Sequence, residues 1–156
     1  MLEDYWITRK VDNTGIDTLA DYQRNHTDIL RVDLTDDRQY AGDRFDIGAW
    51  GHYDMLETPS DSPYQVSLQA GIWNRRLLLK LIRPELSPWE VELYLSPALH
   101  ERVTLKNVND MRVVGTRQRP IRYINAFKGG DSSEVLNLEG IPEHHRKHME
   151  EQGWLK

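Results

Sequence analysis

The chain has 156 residues and no cysteine, and 20 Lys+Arg against 25 Asp+Glu leave a formal charge of −5. These counts exclude a disulfide framework, a thiolate zinc site and a cysteine nucleophile. They also argue against a duplex-DNA binder, which carries a basic face and a high pI. The length suits one domain, residues 1–156, able to bury roughly 68–70% of the surface its unfolded form exposes. No apolar run approaches the ~20 residues that span a bilayer, so no membrane span is expected. Met1–Trp6 has no basic stretch leading into an apolar one, so no secretory leader is expected and the compartment is read as cytoplasmic.

Leu2–Thr8 reads as a strand on the sheet-forming Tyr5, Trp6 and Ile7. A helix is expected from Thr14 to Asn25, capped by Asn13 or Thr14, with Ile16, Leu19 and Tyr22 at helical spacing. Ile29–Leu34 alternates as a half-buried strand that exposes Arg31 and Asp33. Thr35–Asp46 is acidic; its Asp36, Asp37, Asp43 and Asp46 lack the EF-hand spacing and read as a solvated loop. Ile47–Leu56 is expected to be one strand, with Trp50, His52 and Tyr53 presenting an aromatic face or covering the core. Thr58–Pro63 is a loop.

Tyr64–Leu68 reads as a strand. Asn74 is expected to cap a short helix carrying Leu77, Leu78, Leu81 and Ile82, ended by Pro84. Ser87-Pro88-Trp89-Glu90 is a helix start with cap, N1 proline and capping-box glutamate, for a helix ending at Leu95 or Leu99. Arg102–Leu105, Met111–Val114 and Ile121–Ala126 are expected strands, Lys128–Asp131 a turn and Glu134–Leu138 a short helical segment. A surface helix follows Pro142, within residues 140–156. The class is mixed α/β, with a central, partly antiparallel sheet and short helices.

Two acids, Glu3 and Asp4, stand at the edge of the first strand, where a carboxylate can reach a divalent cation. Glu90 and Glu92 flank the start of the Trp89 helix and cannot share one face of it. A glutamate in a partly dry cleft beside Trp89 could serve as a general base. Glu90 has a structural alternative as the capping partner of Ser87. His144 and His148 have chelating i, i+4 spacing, but no segment supplies further ligands, so the tail helix is expected to bind no metal.

Four segments together resemble bacterial and phage glycosyltransferases of the A-type fold. Met1–Thr8 with Val11-Asp12 resembles their strand and acidic motif, and Ser67–Arg76 their acceptor-side strand and helix. Ser87–Glu92 is similar to their tryptophan-and-acid helix start, and Ile121–Ala126 with Gly129-Gly130 to a late strand and turn. The resemblance implies transfer of a sugar from a nucleotide-sugar donor to a glycan-type acceptor hydroxyl. Glu3 and Asp4 would bind the donor diphosphate through Mn or Mg, with Asp4 as metal ligand. Glu90 or Glu92 would be the catalytic base, and Gln69 and Trp73 would line the acceptor cleft. The acidic motif stands at the very start, so the likeness is to the C-terminal part of such an enzyme. A truncated chain is therefore expected, incomplete in catalysis alone, with a homodimer covering the exposed N-terminal edge. The alternative is a non-catalytic binding or assembly module that keeps the sheet without a donor site.

Overall fold

The computed structural model describes residues 5–35, 44–106, 111–125, 127–128, 135–136 and 141–153. In chain order the elements are β1 (Tyr5–Ile7), α1 (Asn13–Asn25), β2 (Ile29–Asp33), β3 (Phe45–Trp50), β4 (Tyr53–Thr58), β5 (Gly71–Trp73) and α2 (Arg75–Leu78). They continue with α3 (Pro88–Lys106), β6 (Arg112–Thr116), β7 (Tyr123–Asn125), β8 (Phe127–Lys128), β9 (Val135–Leu136) and α4 (Glu143–Glu151). The chain divides into two compact units. One is Asp12–Pro120; the other combines Met1–Val11 with Ile121–Lys156.

The larger unit is built on a five-stranded sheet in the order β3-β4-β6-β2-β5. The β2–β6 pair is parallel and the other three neighbouring pairs are antiparallel. The class is thus the expected mixed α/β with a partly antiparallel sheet. Helix α1 starts one residue earlier than expected, because Asp12 rather than Asn13 or Thr14 caps it. One Asp12 oxygen accepts from Gly15 N at 2.9 Å and the other takes the Tyr53 hydroxyl at 2.5 Å, which ties the helix start to β4. Gly15 is required there, since a Cβ would overlap that hydroxyl.

Strand β2 corrects the half-buried expectation, for all five of its residues are buried. The expected Ile47–Leu56 strand is a hairpin, broken at Gly51-His52, where Gly51 takes φ +60°. Only a residue without Cβ enters that region at no steric cost, and this lets the chain reverse. Of the aromatics there, Tyr53 is buried, and Trp50 packs edge-on against Tyr22 and His26. The expected strand at Tyr64–Leu68 is irregular backbone, with Tyr64 at φ +58°. Side chains serve its buried amides in place of a neighbouring strand: Val66 N donates to Ser96 Oγ at 3.0 Å and Leu68 N to Glu92 Oε1 at 2.6 Å.

Helix α3 runs to Lys106, past the expected end, and absorbs the strand expected at Arg102–Leu105. Val91, Leu95 and Leu99, four apart, carry its apolar stripe into a core with Leu30, Val66, Leu77, Leu81, Met111 and Val113. Pro97 has no N–H to give the Leu93 carbonyl its helical bond, and both residues are exposed.

In the smaller unit β1 pairs antiparallel with β7, Trp6 opposite Ile124, and Tyr5 meets Tyr123 edge-on at 4.7 Å. Val135–Leu136 is a strand paired with β8, where a helical segment was expected. Helix α4 follows Pro142 as expected and buries Met149. Asp36, Asp37, Asp43 and Gly129–Asp131 of the expected turn lie outside the described residues. Among the described residues no helix is long and apolar enough to cross a membrane.

Candidate functional site

The site begins with two charged residues on β2. The Arg31 Nη2 lies 2.8 Å from Asp33 Oδ1, and both side chains are almost wholly buried. The same nitrogen donates to the Gln69 carbonyl at 3.1 Å, and the guanidinium carbon lies 5.0 Å over the Trp73 ring. Gly71 makes this close approach possible, because a Cβ on it would stand 2.6 Å from Arg31 Nε. Arg31 and Asp33, read from the alternating pattern as a solvent face, are therefore an interior ion pair. Their neighbourhood supplies the charge that burial demands: a carboxylate, a carbonyl and an aromatic face.

Gln69 and Trp73, read as lining an acceptor cleft, both contact the buried Arg31. Gln69 is 7% exposed, its carbonyl engaged by Arg31 and its amide donating to Ser67 Oγ at 3.2 Å. Trp73 is half-buried between Arg31 and the α3 core. Glu92 joins the same region through its bond with Leu68 N, one residue before Gln69. Its backbone carbonyl accepts from Ser96 Oγ at 3.1 Å, so one turn of α3 holds both Glu92 and the Val66–Gln69 segment. The Glu92 Oε2 has no hydrogen-bond partner among the described residues.

Glu90, two residues before Glu92, completes the capping box. Its Oε2 accepts from Ser87 N at 2.8 Å and from Ser87 Oγ at 2.6 Å, and Ser87 Oγ in turn accepts from Glu90 N at 3.4 Å. The Ser87 side-chain bond, then the backbone bond, hold the Glu90 carboxyl below its ordinary value. Trp89 beside it is 67% exposed.

Glu3 and Asp4 lie outside the described residues, and with them the distance from Asp4 to the α3 glutamates. Among the described residues no group of three or more His, Asp or Glu side chains is placed to hold a metal ion. On α4 the His144 and His145 rings stack at 4.1 Å, and His145 Nε2 sits 3.3 Å from the Thr8 carbonyl. Sequence reasoning missed Arg31 and Asp33. The signal available was two opposite charges at i, i+2 in a strand whose every other residue is aliphatic. Comparison with models of protein families, with curated proteins and with solved structures finds no match to this chain.

Proposed function

We propose that this chain carries the acceptor side of a glycosyltransferase-like fold, serving transfer of a sugar from a nucleotide-sugar to an acceptor hydroxyl. The observation that carries the reading is the 2.6 Å bond from Leu68 N to Glu92 Oε1. It joins Ser67–Arg76 to Ser87–Glu92, the two acceptor-side segments of the resemblance, and it orients a single carboxylate. Glu92 is then the base: one oxygen is fixed by the backbone, and the other is left to take the acceptor hydroxyl's proton. Gln69 and Trp73 anchor, through Arg31, the segment that presents Leu68 to Glu92. Glu3 and Asp4 would hold a divalent Mn or Mg ion, whose charge would support the leaving diphosphate.

A second reading, a binding or assembly module without a donor site, is favoured by a different observation. Glu90 and Glu92 each accept from a backbone amide of their own unit, which is structural work. Calorimetric titration with uridine diphosphate, with and without Mn²⁺, separates the two. The transferase reading expects binding that requires the metal, and expects Glu92→Gln to keep that binding while losing turnover of a uridine-diphosphate sugar. Absence of binding under both conditions hands the chain to the second reading.

A further inference from the structure

A cavity of about 440 Å³ opens at the end of the larger unit's sheet, and neither Gln69 nor Glu92 lines it. Arg112 crosses it, with Nε and Nη2 on the two Glu57 oxygens at 2.9 and 2.6 Å and Nη1 on Asp28 Oδ2 at 2.9 Å. Both carboxylates hold the guanidinium firmly protonated. Gln65, wholly buried, also lines the cavity. Its amide nitrogen donates to the Pro59 carbonyl, while its Oε1 has no hydrogen-bond partner among the described residues. Leu99, Met111 and Val113 supply apolar wall. Phe45, opposite Glu57 in the β3–β4 register and 56% exposed, stands at the mouth.

We propose that this cleft binds a neutral, hydroxyl-rich ring of monosaccharide size. The volume lies in the range of small-molecule sites, roughly 300–1,000 Å³. Two carboxylates against one guanidinium leave a formal charge of −1, which repels phosphate and carboxylate ligands. A buried acceptor without a donor is costly, which favours an occupant carrying hydrogen-bond donors over a purely apolar one. Arg112 has spent three of its five N–H groups, so two remain to donate. The carboxylate oxygens keep lone pairs to accept. Hydroxyl groups both donate and accept, and the C–H face of a sugar ring suits the exposed Phe45 ring. Ser60, which lines the same cleft and bonds His100 Nδ1 at 3.1 Å, adds one more hydroxyl.

The test is a ¹H–¹⁵N NMR titration of the full chain with glucose, galactose, mannose and N-acetylglucosamine separately, with inorganic phosphate and uridine monophosphate as anionic probes. At least one sugar should shift the Gln65 side-chain amide, Ser60 and Arg112 Nε saturably at millimolar concentration. Phe45→Ala, an exposed change that leaves the core intact, should weaken that sugar about three- to tenfold. Gln65→Met should abolish its binding; if that variant does not fold, Phe45→Ala decides alone. The proposal is overturned if no sugar shifts these resonances saturably, if either anion binds as tightly, or if Phe45→Ala leaves the affinity unchanged.

Discussion

Ser87 and Glu90 act on each other's backbone, and this reciprocity turns two exposed polar residues into a helix terminus. The hydroxyl meets one of the orphan amides of the first turn, and the carboxylate meets the amide of the cap itself. Ser87→Ala should therefore cost about 1 kcal/mol of stability in urea or thermal unfolding. The Glu90 carboxyl adds a pH signature with a definite sign. Its folded value is depressed below the ordinary 4.5 by the Ser87 hydroxyl and then the Ser87 amide. Its contribution is thus present in full above pH 4.5 and lost as the pH falls through the lowered folded value. Glu90→Gln should be less stable than the parent at neutral pH, and the gap should close in acid. A gap that stays constant down to pH 3 would show that the charged form has no preference for the cap.

At the scale of elements, the irregular stretch from Tyr64 to Leu68 depends on α3 as a strand depends on its neighbour. Ser96, 5% exposed, accepts from Val66 N and donates to the Glu92 carbonyl, one hydroxyl joining the helix to the loop. Ser96→Ala should leave the Val66 amide buried without an acceptor and cost about 1–3 kcal/mol. Denaturant unfolding checks this; a loss within a few tenths of the error would mean that water replaces the hydroxyl. The same stretch shows where the sequence was legible and where it was not. The capping box, the Asn74 cap with buried Leu77, and the helix after Pro142 were readable because each rests on contacts three or four residues apart. Tyr64–Leu68 has the composition of a strand, but Ser96 and Glu92, some 24 to 30 residues away, take its amides. Arg102–Leu105 likewise has β-branched residues, yet α3 extends through it. Arg31 and Asp33 misled for the same reason. Alternation reports which residues share a face, and only tertiary structure decides that both faces are covered.

At the scale of the molecule, the resemblance-bearing segments pair within the two compact units. Tyr5–Ile7 pairs with Tyr123–Asn125 in one, and Leu68 with Glu92 in the other. The larger unit, Asp12–Pro120, contains every strand of the five-stranded sheet, helices α1 to α3 and the whole apolar cluster around Leu30 and Leu95. Its ends already meet, since Asp12 N donates to the Pro120 carbonyl at 2.9 Å and Asp12 goes on to cap α1. Arg112 ties the start of β6 to Glu57 on β4 and to Asp28, just before β2, spanning three adjacent strands. A piece with a complete sheet, one core and adjacent ends meets the physical conditions for folding by itself. Asp12–Pro120 produced alone should therefore unfold in one cooperative thermal transition. It should keep the near-ultraviolet circular dichroism that the packing of Trp50 and Trp73 gives, and it should not bind a hydrophobic dye. A broad transition with dye binding and no near-ultraviolet signal would mark a collapsed state without fixed packing. The sheet would then depend on chain outside Asp12–Pro120, and the two units would be one folding entity.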